Sequence, residues 1–437
     1  MSKHSVAPPV EQQLRLSITS ETQLLQQVMV HTPGAEMELV LPENRLELLF
    51  DDILYVLHAR EEHATMCAVF QKIVASPDAA LQVTDLLRDA FALEDARLDF
   101  IEQICRLSEE RNLRGFEDDL KRLSPEELFD FALTGRSPLP ISMHPLPNLI
   151  FMRDVGAVVH DHIILSHAAT AVRTRESVIL RVVLEYHPRF QAYRDHIIIL
   201  PKGVTFEGGD LLAPDPEVVI VGHSERTTFS GVMSIANELF ERTPVEHVLL
   251  VDLPKARYCM HLDTVFTFTS EDECVVFPPI FAQDSYGNIV HYTRGDEPGR
   301  FFSEVRPSLR PALEDLLGRP MTFIPCGGDD PLSQRREQWT DGANLFAIAP
   351  GVVIGYERNE RTFSALRDHG YRIVTAEGFL SYYEESDFVA GEKVAIKLEG
   401  NELSRGRGGP RCMTLPLSRQ VPESDRRDAG TTIDPIK

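Results

Sequence analysis

A hairpin followed by a helix recurs along this chain. The stretch GAVVHDHIILSHAATAVRTRESVILRVVLEYH, residues 156–187, sets two β-rich runs around a His160–Asp161 turn and continues through a polar segment into a helical pattern. DLLAPDPEVVIVGHSERTTFSGVMSIANELF, residues 210–240, repeats the plan around Pro-Asp-Pro, and NLFAIAPGVVIGYERNERTFSALRDHG, residues 344–370, repeats it around Pro350 and Gly351. DTVFTFTSEDECVVFPPIF, residues 263–281, gives the hairpin alone, while QVMVHTPG near the start and CMTLPL near the end read as single strands of the same kind. β-rich runs bounded by turn residues and followed by helical periods define an α/β repeat architecture, one form of which closes around an axis.

Residues 61 to about 135 break this pattern. Leu81, Leu86, Leu87 and Phe91, then Leu98, Ile101, Ile104 and Cys105, recur at helical spacing. Ser124, Pro125 and Glu127 form a capping-box signature with proline at the first helical position. The stretch is expected to be an all-helical insert, read either as a partner surface or, more plainly, as a packed bundle completing the fold. After Leu417, SRQVPESDRRDAGTTIDPIK is polar and aperiodic, so a mobile tail is expected.

The 437 residues suffice for a large core and two structural units. Apolar residues make up 43% and charged residues 25%, the balance of a soluble globular chain, and no apolar run approaches the ~18 residues of a membrane span. MSKHSVAPPVEQQ lacks the apolar run of a secretory leader, so a cytosolic location is expected. Cys67, Cys105, Cys259, Cys274, Cys326 and Cys412 are far apart with no C-x-x-C pair, which points to reduced thiols rather than disulfides or structural zinc. Forty-four basic against 67 acidic residues give a net charge of −23, which argues against nucleic acid and fits a cationic small molecule.

Chemistry concentrates in five stretches. In GRGGPRCMTLPL, residues 406–417, glycines permit positive φ and close approach, and Arg407 and Arg411 are expected to favour a thiolate at Cys412. The bland alternative is a cysteine serving as a small buried hydrophobe. PNLIFMRD offers Asp154, FEGGDLL offers Glu207 and Asp210, MHLDTVF offers His261 and Asp263, and REQWTDGANLF is the fifth. Singly, the aspartates read as strand-end caps, His261 as a core histidine and Gly208–Gly209 as a bulge. Together, a cysteine, a histidine and several carboxylates suit a thiol hydrolase acting on a cation, because extra carboxylates oppose a developing oxyanion but hold a guanidinium bidentately.

HPLPNLIFMRD, FEGGDLL, MHLDTVF, REQWTDGANLFAIAPGVVIGYERN and GRGGPRCMTLPL resemble, in order and spacing, the motifs of bacterial arginine deiminases, over residues from about 20 to 419. The resemblance implies the fold of the guanidino-group modifying superfamily, a pseudo-fivefold α/β propeller of ββαβ-type units with an inserted helical-bundle domain. It implies Cys412 as nucleophile, His261 as general acid/base, Glu207 close to both histidine and substrate, and Asp154 and Asp263 on the guanidinium nitrogens. Asn148, Arg173, Arg226 and Arg407 match positions that bind the α-carboxylate, and the carbonyls of Phe151, Gly406 and Arg407 match those that receive the α-ammonium. Asp210 would touch substrate or support its loop. The family usually has proline after Asp154; this chain has Val155, so that loop is expected to be less rigid, and the tail beyond Arg419 is longer than the family's.

The expected organisation is a flexible N-terminus over 1–20, a catalytic propeller over 21–60 and 136–419, the helical insert over 61–135 and the tail over 420–437. The implied reaction is hydrolysis of free L-arginine to L-citrulline and ammonia with no metal or cofactor, and neither nucleic acid nor membrane as partner; a homo-oligomer stays open. Alternatives are an amidinotransferase on the same fold, an arginine-binding protein without catalysis, and a metal site at Cys259, His261 and Asp263. Arg173 and Arg226 also have a plainer reading as surface partners of Glu176 and Glu225.

Overall fold

Val- and Ile-rich runs of four to six residues, bounded by turn formers, become strands because branched side chains pack well on a pleated, buried surface. In the computed structural model, which describes residues 14–107, 111–281, 289–297, 299–383 and 391–421, Gly156–Val159 turns into the antiparallel strand His162–Leu165. The helix Thr174–Tyr186 follows, and Ile197–Ile199 returns parallel to the second strand. Leu211–Asp215, Val218–His223, the helix Phe229–Arg242 and His247–Asp252 repeat that order, as do Phe266–Phe268, Glu273–Val276, the helix Leu309–Leu317 and Thr322–Pro325. In the next unit Phe346–Ala349 pairs with Val352–Tyr356, and Val394–Leu398 lies between the latter and Arg372–Thr375.

The fifth sheet joins the two ends of the described chain. Leu25–Val30 pairs antiparallel with Leu415–Arg419 on one side and parallel with Ala80–Gln82 on the other. Among the described residues there are thus five separate sheets of three to five strands. The sequence pattern missed one addition: the hairpin Ile289–Arg294 and Phe301–Arg306 extends the second sheet beyond His247–Asp252.

Between residues 56 and 134 lie the helices Val56–Val74, Val83–Phe91, Glu94–Arg106 and Pro125–Thr134. The last has its capping box: Glu127 N–H donates to Ser124 Oγ, the Glu127 carboxylate accepts from Ser124 N–H, and Gly135 closes the helix at a φ of 70°. Two expectations need correction. Ala80–Gln82 is a strand inside the stretch read as all helical, because Leu81 continues the fifth sheet, beside Leu25–Val30, before the helix starts at Val83. Leu98 faces outward at 38% exposure, since Phe100, Ile101 and Ile104 take the inner face of its helix. The helices Val83–Phe91, Glu94–Arg106 and Pro125–Thr134 share one core cluster with Ile163, Ile164, Ile179 and Val183, so they pack on the unit that begins at Gly156, whereas Val56–Val74 buries Met66, Val69 and Phe70 against Val352–Tyr356 and Val394–Leu398.

The flexible N-terminus expected over 1–20 also ends early. Leu14, Leu16 and Ile18 are buried in that same cluster, and Ile18 exchanges backbone hydrogen bonds with His160 at 2.9 and 2.6 Å. Residues 1–13 and the tail from 422 lie outside the described residues. No described helix is long and apolar enough to cross a membrane.

One feature of the units positions the site. Just before the first strand of each unit the chain makes a tight turn with a backbone bond three residues long: Asp154 to Phe151, Asp210 to Glu207, Thr264 to His261, Asn344 to Asp341 and Thr414 to Arg411. The chemistry-bearing residues sit in these turns, one group per unit, and each turn is fixed by the strand that follows it.

Candidate active site

Most of the residues singled out by sequence line one cavity: Asn148, Phe151, Asp154, Arg173, Arg226, His261, Gly406, Arg407 and Cys412, joined by Leu49, Arg257, Met260 and Thr264. Glu207 and Asp263 stand directly behind this lining, bonded to His261 and Arg411, while Asp210 lies further back. The free volume is small, about 30 Å³, room for a water or two. A cleft of about 490 Å³ lined by Glu61, Glu62, Glu357, Glu377, Lys397, Glu399 and Glu402 is far larger, yet carries no thiol or imidazole pair, so chemistry rather than size picks out the site.

His261 is the best-anchored group. Its Nε2–H donates to Glu207 Oε2 at 2.8 Å, and Nδ1 stands 3.5 Å from Asp154 Oδ1. Burial alone would lower the imidazole, but Asp154 and the bond to Glu207 outweigh it and raise the pKa to about 10; Glu207 is correspondingly held low, although burial opposes this. The pair is an imidazolium–carboxylate. Gly209 makes room for it, since a Cβ there would lie 2.8 Å from the His261 ring. Gly208–Gly209 is thus a packing device and not a bulge.

Asp210 supports this loop. It accepts from Leu262 N–H at 2.9 Å and from the Ser224 hydroxyl at 2.5 Å, which ties its turn to that of His261, and burial raises it to about 7.

Two ion-pair systems flank the thiol. Arg173 donates to Asp154 Oδ2 at 2.7 Å, to Glu176 at 2.8 and 3.0 Å and to the Asn148 carbonyl at 3.2 Å. The Arg173–Glu176 pair anticipated at the surface therefore exists, but buried, and Arg226 is equally buried at 5% exposure. On the other side Arg411 donates to Asp263 Oδ2 at 2.8 Å, to Glu21 at 3.0 Å and to the Leu211 carbonyl at 3.1 Å.

That second system corrects the expected thiolate. Arg411 is spent on Asp263 and Glu21, so burial together with Asp263, Asp154 and Asp341 pushes the Cys412 thiol well above its ordinary range. In this state the cysteine is a thiol. Its loop also differs from expectation: Arg407, not a glycine, takes the positive φ, at 66°, whereas Gly408 is needed because a Cβ would lie 2.4 Å from the Phe151 ring.

Asn344 was missed as a site residue, although it lies within REQWTDGANLF. Its Oδ1 accepts from Cys412 N–H at 3.0 Å and its Nδ2–H donates to the Asp263 carbonyl at 2.9 Å, so it locks the thiol's turn to that of Asp263. Arg153 N–H holds the Cys412 carbonyl from the opposite side at 3.0 Å. Val155, in place of the usual proline, is 2% exposed and its carbonyl accepts from Ser166 N–H at 3.1 Å, so this turn is tied down without the ring.

The remaining buried polar atoms carry the most information. Asp154 Oδ1, Asp263 Oδ1, and Nε and Nη1 of both Arg226 and Arg407 are buried without a hydrogen-bond partner, the nearest opposite charges being His261 Nδ1 at 3.5 Å from Asp154 Oδ1 and Glu207 Oε1 at 3.8 Å from Arg226 Nη1. Such orphans are costly, about 1–3 kcal/mol each and more when charged, and here acceptors and donors gather around one cavity.

Two sets of metal-ligating side chains lie within 4.8 Å of one another among the described residues: Asp154, Glu207 and His261, and Asp161, His162 and His196 at a hairpin turn. In the first, His261 carries a proton that a cation would have to displace. The grouping of Cys259, His261 and Asp263 is not among them, and Cys259 is fully buried in an apolar cluster with its thiol pushed up to about 12.

The amidinotransferase SxtG of Microseira wollei superposes with a TM-score of 0.53 at 14% identity, covering 93% of this chain and 98% of that one. A dimethylarginine dimethylaminohydrolase adduct with S-methyl-L-thiocitrulline gives a TM-score of 0.50 at 14% identity, covering 90% and 99%. Fold and site together define a class: a mixed α/β protein of several small sheets whose turns gather a cysteine, a histidine–glutamate pair and aspartates. More specific likenesses come from sequence. A model of the arginine deiminase family matches residues 115–419. Arginine deiminases of Listeria monocytogenes and Bacillus cereus are 33% and 32% identical over 428 and 430 residues, each spanning 93% of this chain and 98% of the relative. The chain belongs to the arginine deiminase family.

Proposed function

We propose that the protein hydrolyses free L-arginine to L-citrulline and ammonia through a covalent intermediate on Cys412. The observation that carries this reading is the set of orphaned atoms around the cavity. Asp154 Oδ1 and Asp263 Oδ1 match the donors of a guanidinium, and the free N–H groups of Arg226 and Arg407 match a carboxylate. A free amino acid with a guanidinium side chain satisfies both.

The electrostatics then run in sequence. A cation between Asp154 and Asp263 offsets the charges that hold the Cys412 thiol up, so on substrate binding the thiol gives its proton to solvent and becomes the thiolate. The thiolate attacks the guanidinium carbon, and His261, protonated in the free protein, gives its proton to the departing nitrogen as ammonia leaves. The resulting thiouronium is attacked by water, one of whose protons returns to His261; collapse expels the thiolate, the second proton leaves the new carbonyl and is taken up by the released ammonia, and the thiolate regains a proton from solvent. Arginine cation and water go in; citrulline and ammonium come out. Splitting one hard hydrolysis into two steps is the gain from a covalent nucleophile.

Asn148 and the carbonyls of Phe151, Gly406 and Arg407 complete the amino-acid end in this reading. The five sheets built on one plan support a pseudo-fivefold propeller, with residues 61–135 as a largely helical insert.

The test is to incubate purified protein with L-arginine, with and without an amine acceptor. Citrulline and ammonia in equal amounts are expected; an amidinated acceptor would indicate transfer, and no product would leave binding alone. Cys412→Ala should abolish turnover, whereas Cys326→Ala should retain most of it, because Cys326 is fully buried, approached by the Thr362 hydroxyl at 3.6 Å, and pushed up to about 12. Mass spectrometry of quenched protein should find the arginine-derived adduct on Cys412.

A further inference from the structure

The arginines on the cavity lining are held in different ways. Every nitrogen of Arg173 has a protein partner, because Asp154, Glu176 and the Asn148 carbonyl grip the donor edge of its guanidinium. Arg407 is held by its face: its Cζ lies 3.2 Å from the ring centroid of Trp339, while its buried Nε and Nη1 have no partner. A carboxylate holds a guanidinium by consuming its N–H groups, whereas an aromatic ring holds the π-face and leaves the N–H fork free.

The backbone that carries the ring is anchored, while Trp339 itself is 44% exposed. Trp339 is the last residue of the helix Pro331–Trp339, and its two predecessors are anchored. Gln338 donates to the carbonyls of Tyr258 and Thr264 at 2.6 and 3.2 Å, and the Glu337 carboxylate accepts from the N–H groups of Arg361 and Thr362 at 2.8 Å. Arg407 and Asp341 both carry positive φ, 66° and 64°, and Asp341 is buried with Oδ2 unpartnered. Left-handed backbone is unfavourable for a non-glycine residue; at Arg407 that conformation accompanies a side chain laid across the indole.

We propose that Trp339 is a positioning residue, which holds Arg407 by its face so that the N–H edge stays open for the α-carboxylate of the substrate. This rests on the arginine deiminase reading given above. Trp339 touches no reacting atom, so its contribution belongs in substrate capture and not in the chemical step.

Trp339 is also the sole tryptophan of the chain, so its fluorescence reads the stack directly. Arg407→Ala should change the emission intensity and maximum, and Arg226→Ala should not; no change in the first, or an equal change in both, overturns the stack. In kinetics, Trp339→Leu should raise KM for L-arginine about tenfold with kcat within about twofold, and Trp339→Phe, which keeps a weaker ring, should recover most of the loss. The inhibition constant of agmatine, which lacks the carboxylate, should be unchanged in both variants. A KM indifferent to Trp339, an equal loss for agmatine, or a fall in kcat alone overturns the proposal. The two readings fail differently: wild-type protein that forms no citrulline sinks the deiminase reading and this inference with it, whereas citrulline formation insensitive to Trp339 sinks this inference alone.

Discussion

Gly209 is the residue on which the placement of His261 turns. A methyl group there would stand 2.8 Å from Cγ and Nδ1 of the imidazole and 3.1 Å from its Cβ, closer than real Cβ atoms approach. Gly209→Ala is therefore expected to displace the ring from Glu207 and from the line of attack. Misplacement of a catalytic group by about 1 Å costs on the order of 10²-fold, so kcat should fall by roughly that factor with KM for L-arginine little changed. Steady-state kinetics with a matched circular dichroism spectrum would check it; a variant with wild-type kcat would show that the ring has slack. The same residue scale marks a boundary of what sequence discloses. FEGGDLL and MHLDTVF show glycines, an acid and a histidine, but not that Gly209 abuts His261. The charge state of Cys412 was misread from GRGGPRCM because it depends on where Arg411 turns, and that is decided by Asp263 and by Glu21, 390 positions away.

At the scale of elements, local signals were the legible ones. The turns at His160–Asp161 and Pro350–Gly351 and the capping box at Ser124 depend on neighbours within a few residues, and all are present. What escaped was pairing over distance. Nothing in AALQ distinguishes three strand residues from a helical start, because Ala80–Gln82 becomes a strand only by lying beside Val28–Val30. The capping box allows a direct measurement. Ser124→Ala removes the acceptor for Glu127 N–H and the hydroxyl that donates to the Glu127 carboxylate; the expected cost is about 1 kcal/mol. Its helix buries Leu128, Phe129, Phe131, Ala132 and Leu133, so the loss is expected to appear in global stability. Chemical denaturation should show a lower midpoint at unchanged slope, with citrulline formation at 25 °C unaffected; an unchanged midpoint would mean that this end of the helix frays independently of the rest.

For the whole molecule, buried charge sets how stability depends on pH. Glu176, Asp210 and Asp341 are each raised to about 7, burial being the largest cause. Between their ordinary values near 4 and about 7 the native state keeps protons that the unfolded chain has released, so stability falls as pH rises through that window. His261 extends the trend. Raised from 6.5 to about 10, it contributes stability that is complete below its unfolded value and is lost as pH climbs to 10. Glu207, held at about 2, works in reverse only at lower pH, whereas His63, lowered to about 3 by burial, opposes the trend up to its unfolded value near 6.5 and His162 and His291 lean the same way; Asp263 and Glu62, both raised by burial, add to the fall and outweigh them. The net charge of −23 adds self-repulsion of the same sign as deprotonation proceeds. The expected result is a Tm that is highest near about pH 5 and falls steadily toward pH 9. Asp210 isolates one component, since it lies behind the cavity and not on its lining. Whatever its absolute Tm, Asp210→Asn should flatten the slope most between about pH 5 and 7 and less between 7 and 9, where His261 dominates and the Asp210 charge is only one of several that hold it up. Calorimetry across this range decides the matter: a Tm that rises from pH 5 to 8, or an Asp210→Asn curve parallel to wild type throughout, would show that these buried acids do not hold their protons in the native state.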